Sequence, residues 1–156
     1  MDRVPMTPQG FEALKEELAK LKAEMPKISQ QIGTAIEHGD LKENAEYHAA
    51  KEKQGLTVAR IADIEDKIAR AEVIDPSTLS GDRVKFGATV ELEDIDSGKT
   101  VTYRLVGPDE ADVSAGSISI TSPVARALVG REVGDEVKVK TPGGLRMYEV
   151  SEVRWG

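Results

Sequence analysis

The sequence predicts an α+β chain: an N-terminal antiparallel coiled-coil helical hairpin over residues 1–75, then a small antiparallel β domain with one short helix over residues 76–156. Three observations carry this. Apolar residues recur at alternating steps of three and four in two long segments of the first half. Those two segments fold onto each other about one point. After Ile74-Asp75-Pro76 the apolar period changes to two.

Residues 7–75 read as helix. Phe11, Leu14, Leu18, Leu21, Met25, Ile28 and Ile32 form the first heptad seam, with Thr7 as N-cap and Pro8 at the first helical position, where its missing N–H costs nothing. Tyr47, Ala50, Gln54, Thr57, Ile61, Ile64, Ile68 and Ala71 form the second. Antiparallel pairing sets Phe11 against Ile68, Leu14 against Ile64, Ile28 against Ala50 and Ile32 against Tyr47, and the paired numbers always add to 78 or 79. That constancy places the turn at Gly39-Asp40, with Gly39 suited to the left-handed residue that ends a helix. At 1.5 Å per residue the arm is about 40 Å long. Its seam turns polar midway, where Met25 faces Gln54 and Leu21 faces Thr57, and Pro26 is expected to bend the first helix.

Alternating segments follow: Val84–Phe86, Thr89–Glu93, Thr100–Val106, Ser117–Ile120, Asp135–Lys140 and Tyr148–Val153. Thr141-Pro142-Gly143-Gly144 reads as a hairpin turn between the last two. Ser122–Gly130 reads as a short helix with a Ser cap, Pro at its first position and Gly past its end. There is no internal repeat.

Composition narrows the function. With 39% hydrophobic and 31% charged residues the chain should fold and be soluble. It has no cysteine, which removes a disulfide framework, a thiolate zinc site and a cysteine nucleophile, and fits a reducing cytoplasm. No apolar run is long enough to span a membrane, and MDRVPMTPQG lacks the layout of a signal peptide. Net charge is −7, with 11 basic and 15 acidic residues in 1–75 and 10 and 13 in 76–156. Neither half is basic, so phosphate binding is a poor main source of affinity. A protein partner fits better.

The turn region, Glu37 to Tyr47, sets four carboxylates against one lysine. Two readings fit Asp40 and Glu43. Asp40 suits the N-cap of the second helix, with Glu43 three residues on completing a capping box at the positive end of the helix dipole. The same spacing lets both carboxylates converge on one Mg²⁺, which takes one or two carboxylates and fills its shell with water and phosphate oxygens. Two such groups hold the ion weakly alone, but could complete a site whose other ligands belong to a partner. His38 and His48 are expected to face solvent. Thr141-Pro142-Gly143-Gly144 lacks the lysine of a phosphate-binding loop, and no Ser–His–acid set stands out.

The stretch from His38 to Glu52, HGDLKENAEYHAAKE, resembles the tip signature of the Gre family of bacterial transcript cleavage factors, and most closely its GreA type. Val4-Pro5-Met6-Thr7, Phe86-Gly87-Ala88-Thr89-Val90, Asp109-Glu110-Ala111-Asp112, Ser122-Pro123-Val124-Ala125-Arg126 and Lys140-Thr141-Pro142-Gly143-Gly144 match in the expected order along nearly the whole chain. The resemblance implies an FKBP-like C-terminal domain that docks on RNA polymerase, through Ser122 and Pro123, at the rim of its secondary channel. It implies that Asp40 and Glu43 help hold the polymerase's second catalytic Mg²⁺ and orient the attacking water. The polymerase then cleaves its own backtracked RNA at the 3′ end, as in two-metal phosphodiester cleavage. Lys51 matches a basic residue that contacts this RNA, whereas Ile36 stands where the family often has a base, which favours the GreA type with its short fragments over GreB. On this view the chain is a monomeric cytoplasmic factor that lends ligands and is no enzyme itself. Three other classes compete: a homologous channel inhibitor, whose tip would be crowded with aspartates, an inert coiled-coil adaptor, and a prolyl isomerase. The last is suggested by fold alone, and 4% aromatic residues argue against its pocket.

Overall fold

The computed structural model describes residues 2–39 and 44–156. Strand β1 (Val4–Met6) leads into helix α1 (Pro8–Glu37), then come α2 (Ala45–Arg70) and β2 (Ala71–Val73). The remainder holds β3 (Thr89–Asp94), β4 (Thr100–Val106), β5 (Ser117–Ser119), α3 (Pro123–Leu128), β6 (Glu136–Thr141) and β7 (Gly144–Arg154), with single 3₁₀ turns at Pro76–Thr78 and Val113–Ala115. The chain divides into two compact units, Glu12–Arg70 and the residues up to Phe11 together with Ala71–Gly156. The chain thus crosses between the units twice, after Phe11 and after Arg70, the second crossing lying near the expected boundary between 75 and 76.

The hairpin unit follows its heptads. The buried helix residues are Leu14, Ile28 and Ala35 in α1 and Ala50, Thr57 and Ile64 in α2, each set spaced by multiples of seven. The alternate seam positions Leu18, Met25, Ile32, Tyr47, Gln54 and Ile61 are half-buried. Thr57 tolerates burial because its hydroxyl donates to the Lys53 carbonyl at 2.8 Å. Pro26 lies inside the continuous α1. The register is the expected one, since Asn44 bonds to Ala35 across the helices and Glu17 to Arg60.

Arg60 grips Glu17 with Nε and Nη2, each 2.9 Å from a carboxylate oxygen. This bidentate bond holds the Glu17 carboxyl below the usual carboxylate range. Both side chains are 40% exposed, so the pair contributes only about 0.5 kcal/mol after solvent screening. Because the folded value is depressed, that contribution is present above the unfolded glutamate range and lost as pH falls through the folded value. Arg60→Ala should lower stability by about that amount at neutral pH and by nothing in acid below the range of Glu17, as urea melts at the two pH values would read.

Two segments depart from the sequence expectation at the helix roots. Helix α2 stops at Arg70 instead of running to residue 75, and β2 pairs in parallel with β1, Val4 opposite Ala71 and Met6 opposite Val73. The Ile74 amide adds a bond to the Met6 carbonyl at 2.9 Å. The pairing withdraws residues 71–74 from the helix because it satisfies their backbone groups elsewhere.

The five-stranded sheet has the order β5-β4-β3-β7-β6. Its pairings are antiparallel except β4–β5, which is parallel, so the domain is not purely antiparallel. A bulge interrupts β3–β7 at Glu91/Leu92. Thr141 pairs with Gly144 at the end of β6–β7, which makes the expected tight turn, with φ +113° at Gly144. Val84–Phe86 is not a strand. Val84 is buried by loop bonds instead, its amide donating to the Arg131 carbonyl at 2.7 Å and its carbonyl accepting from Gly130 at 2.9 Å. Alternating side chains on β3 and β6 (Val90 and Leu92, Val137 and Val139) meet Leu105, Val150 and the inner face of α3, Ala125 and Leu128, in one core. The expected fold class, hairpin plus FKBP-like sheet domain with one short helix, is the one observed.

Candidate functional site

The last carbonyls of a helix have no partner within it. At the end of α1 the amides of His38 and Gly39 turn back onto the Ala35 and Ile36 carbonyls at 3.1 and 3.4 Å, with Gly39 at φ +118° as the glycine signal implied. The Ala35 carbonyl also receives the Asn44 side-chain amide at 2.7 Å. The oxygen of the same Asn44 side chain accepts from the Tyr47 amide at 3.1 Å, the bond of an N-cap to the third helical residue. One side chain therefore starts α2 and ties it to the end of α1. The cap of the described α2 is Asn44, against the expectation of Asp40, because the helix begins at Ala45. Glu46 in its first turn completes a favourable helix start. Asp40 and Glu43, with Leu41 and Lys42 between them, lie outside the described residues.

Beside the tip, Lys27, Gln30, Gln31 and Thr34 of α1 face Glu46, Ala49, Ala50 and Lys53 of α2 across a cleft of about 550 Å³. It opens where the short side chains Ala49, Ala50 and Thr34 leave the space between the helices unfilled. Lys27 and Lys53 both line it, and the sequence reading missed both. Their signal was present, since antiparallel register brings 27 within a position or two of 53, but neither falls in the tip signature's core. Lys51, the expected RNA contact, is exposed and donates to Gln54 at 3.2 Å, outside the cleft lining. Ile36 is 50% exposed, so an apolar side chain stands on the surface near the tip. His38 and His48 are exposed, as expected, and the His48 ring meets Tyr47 edge-on with centroids 5.5 Å apart.

In the sheet unit, Ser122 caps α3, its hydroxyl oxygen accepting from the Ala125 amide at 3.2 Å, and Pro123 takes the first helical position. Ala125 and Leu128 turn into the core, which leaves Pro123, Arg126 and Val129 exposed on the outer side. The expected docking pair is thus both a helix cap and part of an accessible surface. Among the described residues no group of three or more His, Cys, Asp or Glu side chains could hold a metal ion. No described helix is long and apolar enough to cross a membrane.

Comparison with known proteins matches both halves. Residues 4–73 match the family model "Transcription elongation factor, N-terminal", and residues 79–154 match "Transcription elongation factor, GreA/GreB, C-term". The chain is 57% identical to the transcription elongation factor GreA of Phenylobacterium zucineum over 156 residues, 99% of either chain. It is 58% identical to that of a Chelativorans species over 157 residues and the full length of both. Among solved structures it is similar to the GreA factor homolog Gfh1 of Thermus thermophilus, at 31% identity over 97% of this chain and 99% of that one, with a TM-score of 0.45. Matched across both of its halves and at full length, the chain belongs to the GreA/GreB family of transcription elongation factors.

Proposed function

We propose that this chain enters the secondary channel of bacterial RNA polymerase and stimulates the enzyme's own endonucleolytic cleavage of nascent RNA in backtracked, arrested complexes. Asp40 and Glu43 lend carboxylate oxygens to the second Mg²⁺ of the polymerase, and the chain has no self-sufficient active site. The observation that carries this reading is Asn44. Since Asn44 both caps α2 and bonds to Ala35, the described hairpin has its helix start without a carboxylate cap. Capping by Asn44 removes the need for a carboxylate at the start of α2, which supports reading the acidic pair as ligands.

The donor set fits the ion. Carboxylate oxygens are hard ligands of the kind Mg²⁺ prefers, and two of them fall short of the six it needs. In that shared site the ion would supply activation of the attacking water. The chain's part is to bring the two carboxylates and hold the RNA end near them. Lys27 and Lys53, across the cleft from each other, join Lys51 as cations toward the RNA phosphates, in a chain whose net charge is −7. The factor works in the cytoplasm, as a monomer.

The test is a halted, backtracked polymerase complex with and without the chain, reading the length of the labelled RNA. Shortening that needs both polymerase and factor supports the reading. Occupancy of the polymerase with no shortening would replace it with a channel inhibitor.

Docking is separable. Pro123 and Arg126 form an exposed surface whose mutation leaves Ala125 and Leu128 in the core. Arg126→Glu should raise the half-saturating concentration of factor about 10-fold with an unchanged melting profile. Native affinity in that variant would remove α3 from the interface.

A further inference from the structure

We propose that Glu110 is a positioning residue, a carboxylate clamp on the first turn of α1 without which the tip works poorly even when the factor is bound. This rests on the function proposed above.

Helix α1 opens with Pro8-Gln9-Gly10-Phe11 and has no acid in its first turn. The anion that such a helix start favours comes instead from Glu110, 103 residues away in sequence from Thr7. One carboxylate oxygen accepts from the Thr7 amide at 2.8 Å and the Gly107 amide at 3.0 Å. The other accepts from the Thr7 hydroxyl. That hydroxyl oxygen in turn takes the Gly10 amide at 3.2 Å, so Thr7 caps the helix while being held itself. Thr7 is 1% exposed, which leaves water little access to these bonds.

The surroundings are shaped to admit the carboxylate. A side chain at Gly10 would collide with the Glu110 carboxylate. One at Gly107 would collide with the Pro5 carbonyl and come within 2.9 Å of the same carboxylate. At Gly10 an ordinary Cβ would displace the clamp, whereas at Gly107 it would first strike the Pro5 backbone. A helix cap alone needs no such arrangement. A local Asp or Glu in the first turn would serve the dipole without crossing the sequence.

The functional consequence follows from continuity. Helix α1 is unbroken from Pro8, beside the clamp, to Glu37, three residues before Asp40. Freedom at its first turn is freedom of the element that carries the tip, and catalysis is sensitive to misplacement of about 1 Å. Docking through α3 does not use these atoms.

The test compares the full-length chain with Glu110→Ala, Glu110→Gln and Thr7→Val. In the free protein, hydrogen exchange at the Thr7 and Gly107 amides should be about 10-fold faster in Glu110→Ala, with the amides of β3 and β4 unchanged. On backtracked polymerase complexes, Glu110→Ala should keep the half-saturating concentration and lose about 10-fold in maximal cleavage rate. Glu110→Gln should recover most of that rate, since its carbonyl oxygen can still accept from both amides. A native maximal rate in Glu110→Ala, or unchanged exchange, overturns the proposal. So does a loss that appears in half-saturation and not in maximal rate. If Glu110→Ala does not fold, Thr7→Val, which deletes only the hydroxyl bonds, is judged by maximal rate against half-saturation and by exchange at the Gly10 amide. Should the native chain itself fail to stimulate cleavage, the functional reading falls, and exchange alone decides whether Glu110 is a clamp.

Discussion

Asp40→Asn and Glu43→Gln, made together, are expected to lower stimulated RNA cleavage by about 100-fold to 1000-fold, the scale on which a positioned charge in a reacting site is felt. Melting temperature and polymerase affinity should stay native. Asn and Gln keep the size and hydrogen-bonding capacity of the original side chains and remove only the charge that Mg²⁺ requires. Excess Mg²⁺ should recover part of the rate, because a weaker ligand set is partly offset by more ion. With docking through the sheet unit, as proposed, the double variant should compete with the native factor and inhibit it. Cleavage at the native rate would sink the ligand role of the pair, and loss of binding would show that the tip is needed for docking. Because Asn44 supplies the helix cap, no large stability change is expected to obscure the result.

The parts of the fold that were legible in the sequence are those whose partners repeat. Leu14, Ile28, Ala50, Thr57 and Ile64 could be paired in advance because a heptad seam states its own register, and the cross-hairpin bonds agree with it. The β6–β7 turn and the α3 cap were legible from Pro and Gly at fixed offsets. Long-range pairing was not. Ala71 continues the helical step from Ile64 and Ile68, and nothing local says that it will leave the helix to pair with Val4. Pro5 in a three-residue strand gave no β signal either. Val84–Phe86 misled in the other sense, since its alternation is real but its backbone bonds go to a loop. Glu110 belongs to a motif that was noticed, yet its reach to Thr7 could not be inferred from sequence spacing.

At the tip the sequence reading followed one capping signal and missed a second. Asp40-Leu41-Lys42-Glu43 has the pattern of a capping box, and Asn44-Ala45-Glu46-Tyr47 is a cap with an acid in the first turn. A single sequence does not rank them. The described helix start at Ala45 chooses the second, and with it a functional reading of the first gains room.

Asn44→Ala is expected to cost about 1 kcal/mol of hairpin stability through the lost cap and about 10-fold or more in stimulated cleavage through loss of the bridge between the helices. The two bonds of this side chain can be separated. Asn44→Asp keeps an oxygen for the Tyr47 amide but has no hydrogen to give the Ala35 carbonyl, 2.7 Å from the present amide nitrogen. It also brings a fifth carboxylate into a stretch, Glu37 to Tyr47, that already holds Glu37, Asp40, Glu43 and Glu46. If capping alone mattered, Asn44→Asp would be native in both stability and cleavage. If the bridge matters, Asn44→Asp should retain helix content by circular dichroism and still lose cleavage nearly as far as Asn44→Ala. Polymerase affinity should be unchanged in both, because neither touches α3. A native cleavage rate in Asn44→Ala would mean that the carboxylates find their place without Asn44, and that the tip is held by the polymerase and not by the hairpin.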